Sequence, residues 1–285
     1  MKSPLALKEY TEANRDAWNE VMPRHQQAAK EKWDAAFSQP GFVALRDEEL
    51  ALLKNIGVAG KAVAHLCCNN GIELLSLKNL GAGECVGFDI SDLAIQEAQE
   101  RANRCHIDCR YVRSDVYEIG PEYEHRFDLV YLTAGTLGWL PDLPLFFAKV
   151  AALLRENGQV FIYEMHPFSE MLPFDDAEED VGLRIVAPYF TTEPDVEYGD
   201  LDYVGKTAYP STKPLYWFVH TLSDILMALI ENRLSIEHVS EYETDISSVH
   251  RRIEQFRAGI PLSFALVGRK GPAWVEGRAP GEPPC

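Results

Sequence analysis

Short apolar runs alternate with helical stretches through the middle of the chain, and this alternation constrains the fold more than any other feature. Residues 72–80, 92–105 and 143–155 have helical patterns and separate strand-like runs. This order is typical of a parallel sheet with helices on both faces. The strand-like runs are 62–66, 84–89, 109–113, 127–132 and 159–164.

The pattern changes towards the C-terminal end of the chain. A helical stretch at 221–232 precedes two strand-like runs, 234–242 and 262–269, whose short polar connection allows antiparallel pairing. We therefore predict an α/β fold with a doubly wound, mostly parallel sheet that ends in an antiparallel hairpin. Open sheets of this kind bind ligands at the carboxyl ends of their strands.

The segments around this pattern define the predicted domain organisation. Residues 1–45 are predicted to form an N-terminal helical cap, with a helix at 5–37 that is interrupted at Pro23. Residues 46–270 form the main domain, with an insert at about 167–216 between the fifth and sixth strands. The insert is rich in acidic and aromatic residues, and a loop of this length is often a lid. The Pro- and Gly-rich residues 271–285 are expected to be disordered.

The net charge of −17 argues against nucleic acid and anionic membranes as partners, because a negative surface repels both. The first residues lack the apolar run of a signal peptide, and no stretch reaches the roughly 20 apolar residues that span a bilayer. We expect a cytoplasmic protein that acts on a small molecule, and the sequence leaves a homodimer open. The six scattered cysteines are expected to be reduced, and their spacing predicts no metal site.

The first two strand ends carry residues suited to a nucleoside-containing ligand. The turn after the first strand contains Cys67, Cys68, Asn69 and Gly71, which are small or tolerate left-handed backbone angles. Asp89 ends the next strand, eighteen residues after Gly71. A carboxylate that binds ribose hydroxyls is expected about 20 residues after such a turn.

The next two strand ends continue the series. Asp115, together with the backbone amide of Val116, can bind the edge of adenine, whose donor and acceptor need opposite partners. Thr133 and Ala134 are small residues that leave room for a cofactor after the fourth strand. Each of these residues alone is weak evidence for a nucleoside-containing ligand. Their occurrence at four successive strand ends is much stronger evidence.

The segment VAHLCCNNGIELLSLKNLGAGECVGFDIS resembles the first two motifs of class I S-adenosylmethionine-dependent methyltransferases. It also resembles a bacterial subgroup of small-molecule enzymes with an HLxCNxG-type first motif. The resemblance implies a seven-stranded sheet with an antiparallel last strand and S-adenosylmethionine as cofactor. It places residues 65–71 along the methionine and ribose of the cofactor and Ile90 on the adenine face. His65 stands where an acidic residue commonly supports the methionine ammonium group, so Glu73 or the backbone is expected to replace that contact.

The methyl acceptor leaves a weaker signal, because methyl transfer mainly requires positioning and exclusion of water. His166 follows the fifth strand and His220 precedes the helix at 221–232, and each is a candidate catalytic residue. Each is also suited to a purely structural role. The candidate substrate-binding residues are aromatic: Tyr10, Trp18, Trp139, Tyr203 and Trp217. They suggest an enclosed pocket for an aromatic or heterocyclic acceptor that is methylated on nitrogen or oxygen.

Three other functions compete with this interpretation. An NAD-dependent dehydrogenase requires a G-x-G-x-x-G turn, which CCNNG does not supply. The acidic charge disfavours an RNA methyltransferase, and an enclosed pocket would disfavour a protein substrate. A catalytically idle relative, which binds S-adenosylmethionine as a sensor or partner protein, stays open because the turn contains a single glycine.

Overall fold

The computed structural model describes residues 4–175, 182–199, 201–205 and 209–271. The predicted disordered tail therefore lies, from residue 272 onward, outside the described residues. The helices are α1 (Pro4–Phe37), α2 (Asp47–Ile56), α3 (Ile72–Asn79), α4 (Asp92–Arg104), α5 (Leu143–Leu153), α6 (Leu222–Glu231) and α7 (Arg251–Gln255). The strands are β1 (Val63–Leu66), β2 (Cys85–Asp89), β3 (Arg110–Arg113), β4 (Phe127–Leu132), β5 (Leu154–Met165), β6 (Asp195–Tyr198), β7 (Pro214–Trp217), β8 (Leu234–Tyr242) and β9 (Ser263–Lys270).

Seven of these strands form one sheet in the order β3-β2-β1-β4-β5-β9-β8. The pairs among β1 to β5 are parallel, and β9 runs antiparallel between β5 and β8. The predicted fold is confirmed, including the antiparallel last strand. The strand order reverses at β1, which lies between β2 and β4, so the ends of these strands are the expected ligand site.

Both faces of the sheet are covered, because successive side chains of a strand point to opposite sides. Val130 and Leu132 of β4 belong to the core beneath α5 and α6. Leu129 and Tyr131 of the same strand belong to the core beneath α2, α3 and α4. All four are fully buried. Two cores thus hold the sheet rigidly and fix the positions of its strand ends.

The N-terminal helix differs from the prediction. α1 continues through Pro23 without interruption. Proline removes one backbone N–H from a helix and usually bends or breaks it. Val21 and Met22 are fully buried just before it, and this packing holds the two halves of the helix together. The predicted interruption at Pro23 was therefore wrong, whereas the predicted end at Phe37 agrees with the structure.

The insert contains a strand pair that the sequence did not predict. β6 and β7 form a separate two-stranded antiparallel sheet. Asn14 of α1 binds the middle of β7 through both atoms of its amide: Nδ2 donates to the carbonyl oxygen of Tyr216 (2.9 Å), and Oδ1 accepts from the Tyr216 N–H (2.8 Å). The insert is thereby joined to α1, some 200 residues away in the chain. Within the described residues, no helix is long and apolar enough to cross a membrane.

Candidate active site

The turn after β1 (residues 67–71, called the turn below) has left-handed backbone angles at three alternate positions. The φ angles are +54° at Cys67, +45° at Asn69 and +76° at Gly71. Left-handed angles are normally reserved for glycine, and asparagine tolerates them better than most residues. A Cβ atom at Gly71 would collide with the Tyr111 ring. The turn therefore has the backbone form of a glycine-rich turn, although glycine is required at only one of its three positions.

Asp89 connects this turn to the end of β2. Its carboxylate accepts hydrogen bonds from the N–H of Asn69 (2.8 Å) and from the N–H of Ser91 (2.8 Å). Burial raises the pKa of Asp89, while these backbone N–H groups oppose the increase. A carboxylate has about four acceptor positions, and Asp89 remains partly exposed. It can therefore bind a further pair of hydroxyl groups, as predicted for a ribose.

Asp115 and Val116 lie at the end of β3. The Asp115 carboxylate accepts from the Tyr117 N–H (3.0 Å) and caps a short 3₁₀ helix, Val116–Glu118. Asp115 is 8% exposed and Val116 6%, so only a small part of either side chain is open to a ligand. Burial also raises the pKa of Asp115. This pair has a structural task already, and any contact with adenine would be additional to it.

His65 lies in β1 beneath the turn and is 1% exposed. Its Nε2 is 3.3 Å from the Thr133 hydroxyl, and its Nδ1 has no hydrogen-bond partner among the described residues. Burial lowers the pKa of His65 to about 3, so the ring is neutral and cannot replace a negative charge. Glu73, in the first turn of α3, is partly exposed. It is therefore the better candidate to face a methionine ammonium group.

Tyr203 of the insert is placed near Glu73 and Asp89. Tyr203 of the insert keeps 47% of its surface accessible, yet burial raises its pKa, with further contributions from the charges of Glu73 and Asp89. All three side chains are at least partly exposed, so the region between them is open to a ligand. We call the region between Glu73, Asp89 and Tyr203 the chamber.

Four of the five predicted substrate-binding aromatic residues form one cluster at this chamber. The centroid of the Trp18 ring lies 5.4 Å from that of Trp139 and 6.4 Å from that of Tyr203, and the rings of Trp139 and Trp217 are 4.8 Å apart. All three pairs meet edge to face. These four residues are called the aromatic cluster below. Tyr10 is the exception, because it packs on Tyr216 and Phe218 instead.

The two predicted catalytic histidines lie in different surroundings. Both ring nitrogens of His166 have protein partners: Nδ1 accepts from the Phe168 N–H (3.0 Å), and Nε2 is 2.9 Å from a Glu241 oxygen. In this arrangement, neither nitrogen is available to a substrate. The Nε2 of His220 donates to the Leu140 carbonyl oxygen (2.8 Å). His220 borders a narrow cleft beside Trp217.

Two carboxylates in the same cleft were not identified from the sequence. Glu164, at the end of β5, accepts from the N–H groups of Gly135 (2.6 Å), Leu137 (3.0 Å) and Met165 (2.8 Å). Burial raises its pKa to about 7. Its position at a strand end was a usable signal. Glu170 accepts a hydrogen bond from the Trp217 indole N–H (3.1 Å), and burial raises its pKa to about 7.

Comparison with known proteins agrees with this geometry. Residues 63–158 match the model of the methyltransferase domain family. The chain carries a methyltransferase domain. Its methyl donor is S-adenosylmethionine, so the predicted enzyme class and cofactor are confirmed.

Solved structures of methyltransferases share the fold of this domain and its surroundings. An S-adenosylmethionine-dependent methyltransferase from Mesorhizobium loti is 24% identical, with a TM-score of 0.57 over 78% of this chain and 97% of that one. Geranyl diphosphate C-methyltransferase from Streptomyces coelicolor A3(2) is 14% identical, with a TM-score of 0.58 over 92% and 98%. Magnesium protoporphyrin IX methyltransferase from Synechocystis PCC 6803 is 14% identical, with a TM-score of 0.51 over 94% and 98%.

The residues of the methyltransferase domain fit this cofactor. The carboxylates of Asp89 and Glu73 both border the chamber, and the cofactor carries a ribose diol and an ammonium group that need such acceptors. Ile90 is partly exposed beside Asp89, and Thr133 and Ala134 are accessible at the end of β4, whereas Cys68 is fully buried. Within the described residues, no group of three or more His, Cys, Asp or Glu side chains is placed to hold a metal ion.

Proposed function

We propose that the chain methylates a nitrogen or oxygen atom of a small aromatic or heterocyclic molecule. The observation that supports this proposal is the aromatic cluster, which lies against the chamber and is built from α1, the 3₁₀ helix Leu137–Trp139, the insert and β7. Aromatic side chains in edge-to-face contact form apolar walls that a flat ring can pack against. A site with such apolar walls suits a small acceptor better than a protein or an RNA.

When bound, S-adenosylmethionine supplies a methyl group on a positively charged sulfur. Asp89 binds the ribose hydroxyls, and Glu73 binds the ammonium group. Glu164 accepts hydrogen bonds from the N–H groups of Gly135 and Leu137 and thereby holds the loop after β4 in one position. Trp18 and Tyr203 close the chamber and exclude water, which keeps the acceptor atom aligned with the methyl carbon. In this proposal the insert acts as the lid of the site.

Three finer predictions stay with this proposal. The net charge of −17 supports a small-molecule acceptor without nucleic-acid or membrane partners. A cytoplasmic location and membership of the subgroup with an HLxCNxG-type first motif remain predictions. The alternative of a catalytically idle relative was suggested because the turn contains a single glycine. Cys67 and Asn69 adopt left-handed angles without being glycine, so the small number of glycines does not by itself favour that alternative.

Calorimetric titration with S-adenosylmethionine tests the cofactor side of the proposal. Asp89→Ala should weaken binding by roughly 1.5 to 3 kcal/mol, since two hydrogen bonds to a charged group are lost. Asp108→Asn is the control, because its side chain is 100% exposed. Equal binding by wild type and Asp89→Ala would contradict the assigned site.

Measurement of enzymatic turnover tests the proposed methyl acceptor. Release of S-adenosylhomocysteine is measured with a panel of aromatic amines, phenols and nitrogen heterocycles. We expect product with members of this panel. Tight cofactor binding without product from any of them would instead support the catalytically idle relative.

A further inference from the structure

The cleft beside Trp217 is lined by two carboxyl side chains, with no lysine or arginine among the described residues that line it. Its ionisable lining residues are Glu164, Glu170 and His220. Asp195 and Glu197 of β6 are close enough for their charges to raise the pKa of Glu170 further. An anionic acceptor would be repelled from this cleft, whereas a cation would be attracted.

Glu164 and Glu170 have different tasks in this cleft. Both oxygens of Glu164 are occupied by backbone N–H groups at 2.6 to 3.0 Å, so this carboxylate holds the loop after β4. Glu170 has one side-chain partner among the described residues, the Trp217 indole, on its Oε2. Its Oε1 has no hydrogen-bond partner within the described part of the chain. Glu170 therefore has a free oxygen to offer a ligand.

Trp217 connects this carboxylate to the chamber. Its ring lies directly against the backbone of Gly138, where any Cβ atom would collide with it. The same ring meets Trp139, which in turn meets Trp18. The aromatic cluster therefore extends from Tyr203, beside Asp89, to the carboxylate of Glu170. Aromatic faces and a carboxylate together are the side chains that bind organic cations.

We propose that the acceptor is a primary or secondary amine that binds as its ammonium form, and that Glu170 accepts its proton before methyl transfer. This inference rests on the proposed function and specifies its acceptor. The N–H proton moves to the free oxygen of Glu170, and the lone pair released on nitrogen bonds to the methyl carbon. The bond between that carbon and sulfur breaks, its electron pair stays on sulfur, and the positive charge passes from sulfur to nitrogen. The product leaves as a methylated ammonium ion.

The experiment uses full-length protein saturated with S-adenosylhomocysteine and two probes of equal shape, benzylamine and benzyl alcohol. Each is titrated calorimetrically near pH 7 in buffers of different ionisation enthalpy, which counts the protons released. Wild type should bind benzylamine at least tenfold more tightly than benzyl alcohol and release protons from Glu170 on binding. Glu170→Gln should lose both the preference and the proton release while keeping its affinity for S-adenosylhomocysteine, which shows that it is folded.

Glu193→Gln is the matched control, because it makes the same chemical change at an exposed position of the insert and should behave as wild type. If wild type does not bind S-adenosylhomocysteine, the proposed function fails. If it does, but benzylamine binds no better than benzyl alcohol or Glu170→Gln keeps the preference, the amine assignment is overturned and the methyltransferase assignment stands.

Discussion

The two halves of the proposed site differ in how far apart their residues lie in the chain. The cofactor half comprises the turn, Glu73, Asp89, Asp115 and Val116, all of which lie between residues 67 and 116. The acceptor half comprises the aromatic cluster and Glu170, and spans residues 18 to 217. Backbone geometry shapes the first half, and long-range side-chain contacts assemble the second. Substitutions in the two halves should therefore have separable effects.

The largest effect is expected at Gly71. Gly71→Ala places a Cβ against the Tyr111 ring at a φ of +76°, which should cost about 3 to 5 kcal/mol of stability by collision and backbone strain. Cofactor affinity, measured by calorimetry, should fall at least 100-fold. Gly60→Ala is the control: its φ is +75° with nothing within 4 Å, so it should cost about 1 kcal/mol and leave cofactor affinity unchanged. If the two variants lost equal amounts of stability and of cofactor affinity, backbone strain alone would be responsible and the collision with Tyr111 would not.

The next effect depends on pH and concerns Glu49, which lies beneath the cofactor half and accepts a hydrogen bond from the Tyr131 hydroxyl. Burial raises the pKa of Glu49 from 4.5 to about 8. The folded state holds this proton more tightly than the unfolded state. The contribution of Glu49 to the free energy of unfolding is therefore greatest below pH 4.5 and is lost as the pH rises through about 8. At about 1.4 kcal/mol per pKa unit, the increase from 4.5 to about 8 corresponds to a loss of roughly 4 to 5 kcal/mol.

Urea unfolding at a series of pH values tests this prediction. Glu49→Gln should lose less stability than wild type between pH 5 and pH 8.5, since glutamine does not ionise. The neighbouring Glu48→Gln should follow the wild-type curve. Parallel curves for wild type and Glu49→Gln would remove Glu49 as the cause.

A smaller effect is expected in the acceptor half at Asn14. Asn14→Ala removes both hydrogen bonds to Tyr216, which should cost about 1 to 2 kcal/mol. Because these bonds hold the insert against α1, hydrogen exchange in β6 and β7 should accelerate while cofactor affinity stays unchanged. Asn103→Ala, at an exposed position of α4, is the control. Reduced cofactor affinity in Asn14→Ala would show that the two halves are coupled.

The smallest effect is expected at the non-glycine positions of the turn. Cys67→Gly should stabilise the fold by about 0.5 to 1 kcal/mol, because it relieves a left-handed φ in a residue that disfavours it. Asn69→Gly should change little, since asparagine tolerates such angles. Thermal unfolding compares the two variants. A larger gain at Asn69 than at Cys67 would contradict this account of the turn.

The separation of the residues along the chain also determines how much of each half could be predicted from the sequence. The turn and Asp89 were predictable, because a strand, a turn and the following strand end are local features with a known spacing. Trp18, Trp139, Tyr203 and Trp217 were named as a group without any means of placing them. Glu170 was missed because its role depends on Trp217, 47 residues later, and on a hairpin whose existence the sequence did not indicate.

The contacts between α1 and the insert have a consequence for how such an enzyme evolves. Asn14 binds backbone atoms of Tyr216, and the Nε2 of His25 donates to the backbone carbonyl oxygen of Leu201 (2.9 Å). In both contacts the side chain belongs to α1 and the insert contributes only main chain. A substitution at Tyr216 or Leu201 can therefore keep these hydrogen bonds, and it changes only the packing of the side chain on α1. We therefore expect that substitutions in the insert can change the acceptor while its backbone stays attached to α1.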